Sequence, residues 1–337
     1  MMGAESRAKV AVCVARLQPP QQRHVDALCA LAAQYDTVWL ICGGVTQAAS
    51  VLNPWSLDER CALLAAALPA QAMPTLLPVA DCWYDDLRWA GAVRAALAAA
   101  GVVPGADIDV YGLERAGPDF YRACFPDWRA CVLPAGLAPF DATLNERLLG
   151  ATAQFVLDTA ALPVCWSILA AMLDDELRRE LRAEFAFIER YRAAWHAAPF
   201  PPVFVTVDAL VTHGDTVLVI RRGRRPGCGL LALPGGFIDL DEALCDSALR
   251  ELREETSLVL PATACRAVRV FDHPLRSLRG RTITHLHRYE LPCAQPAPTV
   301  LAGDDAAEAV WLPLSEARPQ AFFEDHYAML QVELGLP

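Results

Sequence analysis

The residue types with most chemical promise lie in the stretch GGFIDLDEALCDSALRELREETSL, residues 235–258, where Glu242, Arg250, Glu251, Glu254 and Glu255 stand at fixed intervals. Counted from Gly236 the pattern is G-x5-E-x7-R-E-L-R-E-E-T-S-L. The spacing predicts a helix over 242–255, with Glu251 and Glu255 one turn apart, Glu254 beside them, and Leu244, Ala248, Leu249 and Leu252 on the opposite, inward side. Like charges at that spacing repel by about 0.2–0.5 kcal/mol per pair on a bare helix. A hard divalent cation reverses the sign, because Mg2+ takes oxygen ligands and keeps coordination positions open for phosphate oxygens. A solvated, Glu/Arg-rich helix face is the plainer reading of the fragment RELREE alone. The glycine pair, which permits a tight turn and close backbone approach, and Glu242 in register tip the balance toward chemistry.

A second group is basic. Arg276, Arg279 and Arg281 fall within FDHPLRSLRGRTITH, residues 271–285. The whole chain carries 29 Lys plus Arg against 40 Asp plus Glu, a formal charge of −11. Arginines concentrated in an acidic chain suit the gripping of phosphates, with a solvated basic loop as the alternative. The same charge balance argues against a general nucleic-acid binder. A third candidate is the loop 16–23 and the start of the helix after it, with Arg16 and His24.

These groups need two scaffolds. At roughly 150 residues per domain, 337 residues suggest two domains, and 54% hydrophobic with 20% charged residues excludes a disordered chain. In the first half, residues 9–15, 37–43, 75–80, 107–112 and 130–133 read as buried strands, alternating with helices at 23–34, 57–68 and 89–100. That alternation predicts a parallel sheet flanked by helices, whose ligands sit beyond the carboxyl ends of the strands and hence at the loop 16–23. From about 169 to 196 one apolar stripe, Leu173, Leu177, Leu181, Phe185, Ile188 and Trp195, marks a charged helix, and AAPFPP at 197–202 ends it. The expected organisation is a domain over 1–160, a helical linker over 161–199 and a domain over 200–337, the last with strands at 203–210, 216–220 and 283–290. The twelve cysteines form no C-x2-C pair, and no apolar run is long enough for a signal segment or a membrane span. The expectation is a soluble, cytoplasmic protein with no membrane partner.

The stretch 236–258 resembles the box of the Nudix hydrolases, G-x5-E-x7-R-E-U-x-E-E-x-G-U with U aliphatic, departing from it at Ser257, where the family has glycine. The resemblance implies that Glu251, Glu254 and Glu255 ligate Mg2+ (or Mn2+), that Arg250 orients the glutamates, and that Glu242 and the Gly235 carbonyl support the metal site. It implies hydrolysis of a diphosphate linked to a nucleoside. Asp304, Asp305 and Glu308 are candidates for the general base, structural hydrogen bonding being equally compatible with them. The arginine segment, together with PPVFVTVDALV, GLLALPGGFIDLDE, GDDAAEAVWLPL and FEDHYAML, is similar to Nudix domains fused to nicotinamide mononucleotide (NMN) adenylyltransferases. That similarity implies cleavage of ADP-ribose to AMP and ribose 5-phosphate, with Arg276, Arg279 and Arg281 on the substrate. The implied fold is α/β: a Rossmann-like nucleotidyltransferase domain followed by a Nudix α/β/α sandwich with a mixed sheet.

The first half keeps that resemblance only in part. VARLQPPQQRHVDAL resembles the entry loop G-R-F-x-P-x-H-x-G-H of nucleotidyltransferases, retaining Arg16 and His24, but Ala15 replaces the first glycine, Gln21 the first histidine and Arg23 the second glycine. NPWSLDER keeps the family pattern, and DCWYDDLRW, with Trp89, corresponds to the nicotinamide-side segment. LNERLLG aligns with I-S/N-A-T-x-I-R, but Arg147 replaces the threonine and Gly150 the arginine. Each lost transition-state contact is worth about 10²–10³ in rate, so an impaired adenylyltransferase-like domain is expected, with Arg23 and Arg147 as candidate substitutes on phosphate. Two further readings stay open: a bifunctional enzyme that also makes NAD from ATP and NMN, and a non-catalytic ADP-ribose sensor. Against the sensor stand the complete glutamate set and the lack of room for a winged helix before Pro337. The expected partner is a small nucleotide; a homodimer is compatible, since Nudix domains commonly pair.

Overall fold

The computed structural model describes residues 9–103, 106–114, 117–150, 169, 172 and 175–336, so Leu173 of the predicted stripe lies outside the described residues. The chain divides into two compact units, Met1–Arg182 and Ala183–Pro337.

The first unit is a parallel sheet of β1 (Lys9–Ala15), β2 (Thr37–Cys42), β3 (Thr75–Pro78), β4 (Asp107–Gly112) and β5 (Arg129–Cys131), in the order β3-β2-β1-β4-β5. Successive side chains of a strand point to opposite faces. Ala11, Cys13 and Ala15 of β1 therefore meet Leu28 and Leu31 of α1 (Gln22–Ala32) and Leu64 of α2 (Leu57–Ala67). Val10 and Val12 meet Trp89, Val93 and Leu97 of α3 (Asp86–Ala99) on the other face, along with Tyr121 of α4 (Pro118–Cys124). With both faces covered, the strands read as continuous apolar runs. α3 begins three residues before the predicted 89, because the Asp85 side chain accepts the Arg88 N–H at 2.8 Å and caps the helix there. α5 (Leu144–Gly150) packs Leu144 and Leu148 on Trp55 and Leu63.

Helix α6 (Glu176–Ala193) begins in the first unit and ends in the second. The division falls at Arg182, inside the segment 161–199, and not beside the proline run. The end of α6 is bonded into the second unit: Glu184 accepts the Gly227 N–H at 2.9 Å and Arg192 Nε donates to Leu278 O at 2.8 Å. Leu181 and Ile188 are buried as predicted, whereas Leu177 is exposed within the helix and Trp195 lies past the helix end and is exposed.

The second unit holds a mixed sheet of β6 (Val203–His213), β7 (Thr216–Arg222), β8 (Leu231–Ala232), β9 (Gly235–Phe237), β10 (Cys265–Phe271), β11 (Arg281–Leu291) and β12 (Ala306–Pro313). The order is β10-β11-β6-β7-β12, with β8 on β7 and β9 on β6; β6 and β11 run parallel and the other pairs antiparallel. α7 (Leu244–Thr256) lays Leu252 on Ala209, Val211, Leu218 and Tyr289 of the sheet, and α8 (His326–Leu334) closes the described chain. Among the described residues no helix is long and apolar enough to cross a membrane, and every described cysteine is a free thiol.

Candidate active site

α7 and the turn before it assemble the acidic cluster. Ala248 and Leu252 form the buried stripe, and Glu255, seven residues after Ala248, falls on the same stripe, 4% exposed. Its Oε2 accepts the Gly235 N–H at 2.9 Å. β9 brings that glycine there by pairing with β6, Gly235 opposite Asp208. Glycine is required in this turn: a Cβ on Gly235 would stand 2.3 Å from the Val207 backbone O, and one on Gly236 would stand 2.5 Å from Glu251 Oε1 and displace that carboxylate. Burial pushes the Glu255 carboxyl up to about 8, against the Gly235 N–H, with the charge of Glu251 adding to the rise. Burial also raises Glu251, overriding the nearby Arg250.

Glu242 was expected inside the helix and lies before it, since the first turn forms on Ala243 O, which accepts the Asp246 and Ser247 N–H groups. Its carboxylate turns back along α7, accepting from Ser247 Oγ at 2.7 Å and from Arg250 Nε at 2.9 Å, which holds it below the usual carboxylate range. Arg250 then spans the site: Nη1 donates to Glu251 at 2.9 Å and to Glu254 at 3.1 Å, and Nη2 to Phe237 O at 3.2 Å. The helix ends at Ser257, whose φ of 60° is the left-handed conformation that favours glycine. Its Oγ donates to Leu301 O at 3.1 Å.

Among the described residues no three His, Cys, Asp or Glu side chains converge as a closed ligand set, and Arg250 draws on Glu251 and Glu254. The donor chemistry nevertheless fits a hard divalent cation. Carboxylates crowd against a glycine turn, and burial has raised two of them, a penalty that a positive ion relieves.

The three arginines part company. Arg276, expected on the substrate, is 4% exposed and grips Asp325 through Nε (3.0 Å) and Nη2 (3.1 Å), with Asp208 at 3.9 Å. Arg279 lies over the Phe237 ring at 5.2 Å, two residues from Gly235, and Arg281 bonds to Asp272. Of the proposed bases, Asp305 pairs with Arg224 (2.6 Å) and Glu308 with Arg221 (3.0 Å). Asp304, at a left-handed φ of 48°, is the one whose charge bears on Glu251. Asp208, Asp325 and His326 went unrecognised in the sequence. Asp208 is buried under Gly235, where burial pushes it up to about 6, and His326 Nδ1 accepts the Leu233 N–H at 3.1 Å. A lone acid in the apolar run VTVDALV was the available signal.

The loop of the first unit is built differently. Gln21 is locked to the backbone of Asp141, donating to its O at 2.8 Å and accepting its N–H at 2.9 Å. Arg147 pairs with the Asp141 carboxylate at 2.7 Å, and Arg23 donates to Leu113 O and Ala138 O. His24 is fully buried; its Nδ1 accepts the Gln21 N–H at 2.8 Å at the start of α1, and its Nε2 lies 3.5 Å from Glu114. Glu114, missed in the sequence, also accepts the Arg16 and Leu17 N–H groups. The Arg16 side chain meets Asp81 at 3.2 Å. Arg60, also missed, is buried and donates to Arg16 O at 2.6 Å and Gly43 O at 2.8 Å. Trp89, expected on the nicotinamide side, packs against Phe120 and Phe125 in the core on one face of the sheet.

Residues 202–332 match the model of the NUDIX domain. An ADP-ribose pyrophosphatase of Methanocaldococcus jannaschii is 30% identical over 144 residues, 43% of this chain and 77% of that protein. An ADPR responsive transcriptional repressor, NtrR, of Acinetobacter baylyi is 28% identical over 157 residues, 45% of this chain and 61% of that protein. Among solved structures, a bifunctional NMN adenylyltransferase/ADP ribose pyrophosphatase from Francisella tularensis, complexed with AMP and a Mn ion, matches with a TM-score of 0.85 at 27% identity, covering 97% of this chain and 99% of that one.

Proposed function

The chain belongs to the Nudix family, and from that premise we propose that its second unit hydrolyses the diphosphate of ADP-ribose, releasing AMP and ribose 5-phosphate in the cytoplasm. The observation that carries this reading is the gathering of Glu251 and Glu255 on the Gly235–Gly236 backbone, with Glu254 tied in through Arg250. Glu251, Glu254, Glu255 and the Gly235 carbonyl would hold a divalent cation, Mg2+ or Mn2+, which when bound polarises phosphoryl oxygens and lowers the pKa of an attacking water. Glu242 and Ser247 fix Arg250, and Arg250 sets the angle of Glu251 and Glu254. Asp304, the candidate base whose charge bears on Glu251, would take the proton of that water. Arg279 faces the phosphates, while Arg276 holds Asp325 beneath the site.

For the first unit we propose an adenylyltransferase-like domain with impaired turnover. The support is that Gln21, Arg23 and Arg147, which stand at phosphate-gripping positions, are engaged with the chain itself. The test is the purified full chain on ADP-ribose, with Mg2+ and then with a chelator. AMP should form with the metal and cease without it. ADP-ribose bound but left intact under both conditions would replace the hydrolase with a sensor.

A further inference from the structure

The chain leading into α8 is fastened to the glycine turn of the acidic site. The Phe323 N–H donates to Leu231 O at 2.8 Å, Phe322 bridges Leu231 in parallel, and His326 Nδ1 accepts the Leu233 N–H at 3.1 Å from 93 positions along the chain. Between these two bonds stands Glu324, at a left-handed φ of 44°. Such a backbone persists in a non-glycine residue only where its surroundings over-determine it, and it gathers at functional sites. The surroundings do so here: Asp325 is clamped by Arg276, and Phe323 packs on Gly227 so closely that a Cβ there would stand 2.1 Å from the ring. The turn itself is pinned residue by residue. Leu233 is held by His326, Pro234 O accepts the Ala209 N–H at 2.8 Å, and the Gly235 N–H donates to Glu255 at 2.9 Å. An N–H facing Nδ1 needs a lone pair there, so the ring proton lies on Nε2. Burial, with the charges of Arg276, Arg222 and Arg279, holds His326 well below the usual imidazole range, consistent with a neutral ring.

The geometry points to His326 as the positioning residue of this turn: by fixing the Leu233 N–H through Nδ1 it sets where the Gly235 backbone stands, and with it the grip of the acidic cluster on a divalent cation. The inference rests on the cation site proposed above, and it is testable by metal binding alone. Gly235 lies two residues from Leu233, and its N–H is the bond that meets the buried Glu255. A shift of the Leu233 peptide therefore displaces a carbonyl and a carboxylate together. Groups that orient metal ligands from behind are worth about 10- to 100-fold in metal affinity. A histidine that merely filled the core would register in the melting temperature and leave the metal untouched.

The experiment titrates Mn2+ by calorimetry, without substrate, into the full chain and its His326→Asn, His326→Gln and His326→Leu variants, with the melting temperature of each read alongside. Asn carries an amide oxygen where Nδ1 stands, Gln carries it farther out, toward Nε2, and Leu offers no acceptor. His326→Leu and His326→Gln should weaken Mn2+ by about 10- to 100-fold, while His326→Asn recovers most of the native affinity. The order of affinities should follow the position of the acceptor and not the order of melting temperatures. Should the Leu variant fail to fold, the comparison of Asn with Gln decides. The positioning role is overturned if the Asn variant binds Mn2+ no more tightly than the Gln variant, or if the folded Leu variant binds it as the native chain does. A native chain that binds Mn2+ in this His326-dependent way and yet leaves ADP-ribose uncleaved would sink the hydrolase reading alone. Cleavage of ADP-ribose by a native chain whose variants all bind Mn2+ alike would sink the positioning role alone.

Discussion

The polar clusters of the two units differ in how their charges are balanced. In the first, Arg147 faces one carboxylate of Asp141, Gln21 is matched donor for acceptor with the Asp141 backbone, and Arg60 is spread over carbonyl oxygens. In the second, Glu242, Glu251 and Glu254 all bond to Arg250, with Arg253 also 3.8 Å from Glu254, and Glu255 is met by a neutral N–H. Charge in excess of internal partners is what a site for a cation and a substrate requires. Charge matched by internal partners rigidifies the fold and leaves little for a ligand.

That contrast can be broken most decisively in the first unit. NAD formation from ATP and NMN should run about 10⁴-fold or more below the rate of an intact site, since two phosphate contacts are lost at about 10²–10³ each. Robust NAD synthesis by the purified chain would erase the distinction between the units. In the second unit, Arg276→Ala should destabilise by about 3–5 kcal/mol, because it strips the guanidinium from buried Asp325 and Asp208, and a lowered melting temperature checks it. A stable variant whose only defect is a higher KM would return Arg276 to the substrate. Glu254→Gln should cut AMP release by about 10²–10³ while melting as the native chain does, the side chain being half-exposed and its volume conserved. Arg279→Ala should raise KM with kcat nearly unchanged and the melt unmoved, in contrast to Arg276→Ala. The smallest effect belongs to Ser257→Gly, which should stabilise by about 0.5–1 kcal/mol by relieving the left-handed φ, less the bond to Leu301, as read from chemical unfolding.

Much of the scaffold was legible. β1 and β4 occupy the predicted residues, and the alternation of strands and helices foretold the parallel sheet, because an apolar run covered on both faces leaves its mark in every residue. The mixed sheet of the second unit was expected only through family resemblance, since short β8 and β9 carry too few residues for a period. Trp195 was misplaced because a large aromatic at helical spacing reads alike whether it packs inward or projects beyond the helix end.

Periodicity alone determined that Glu251, Glu254 and Glu255 share a short arc of helix and that a glycine turn precedes them, since such relations follow from backbone geometry within a few residues. Only the tertiary structure decided that Glu255 sinks into the apolar stripe, that Arg276 belongs to Asp325 and that Gln21 belongs to Asp141. Those partners lie 49 and 120 positions apart along the chain, and a side chain's charge is spent on whichever group folding brings within about 3 Å.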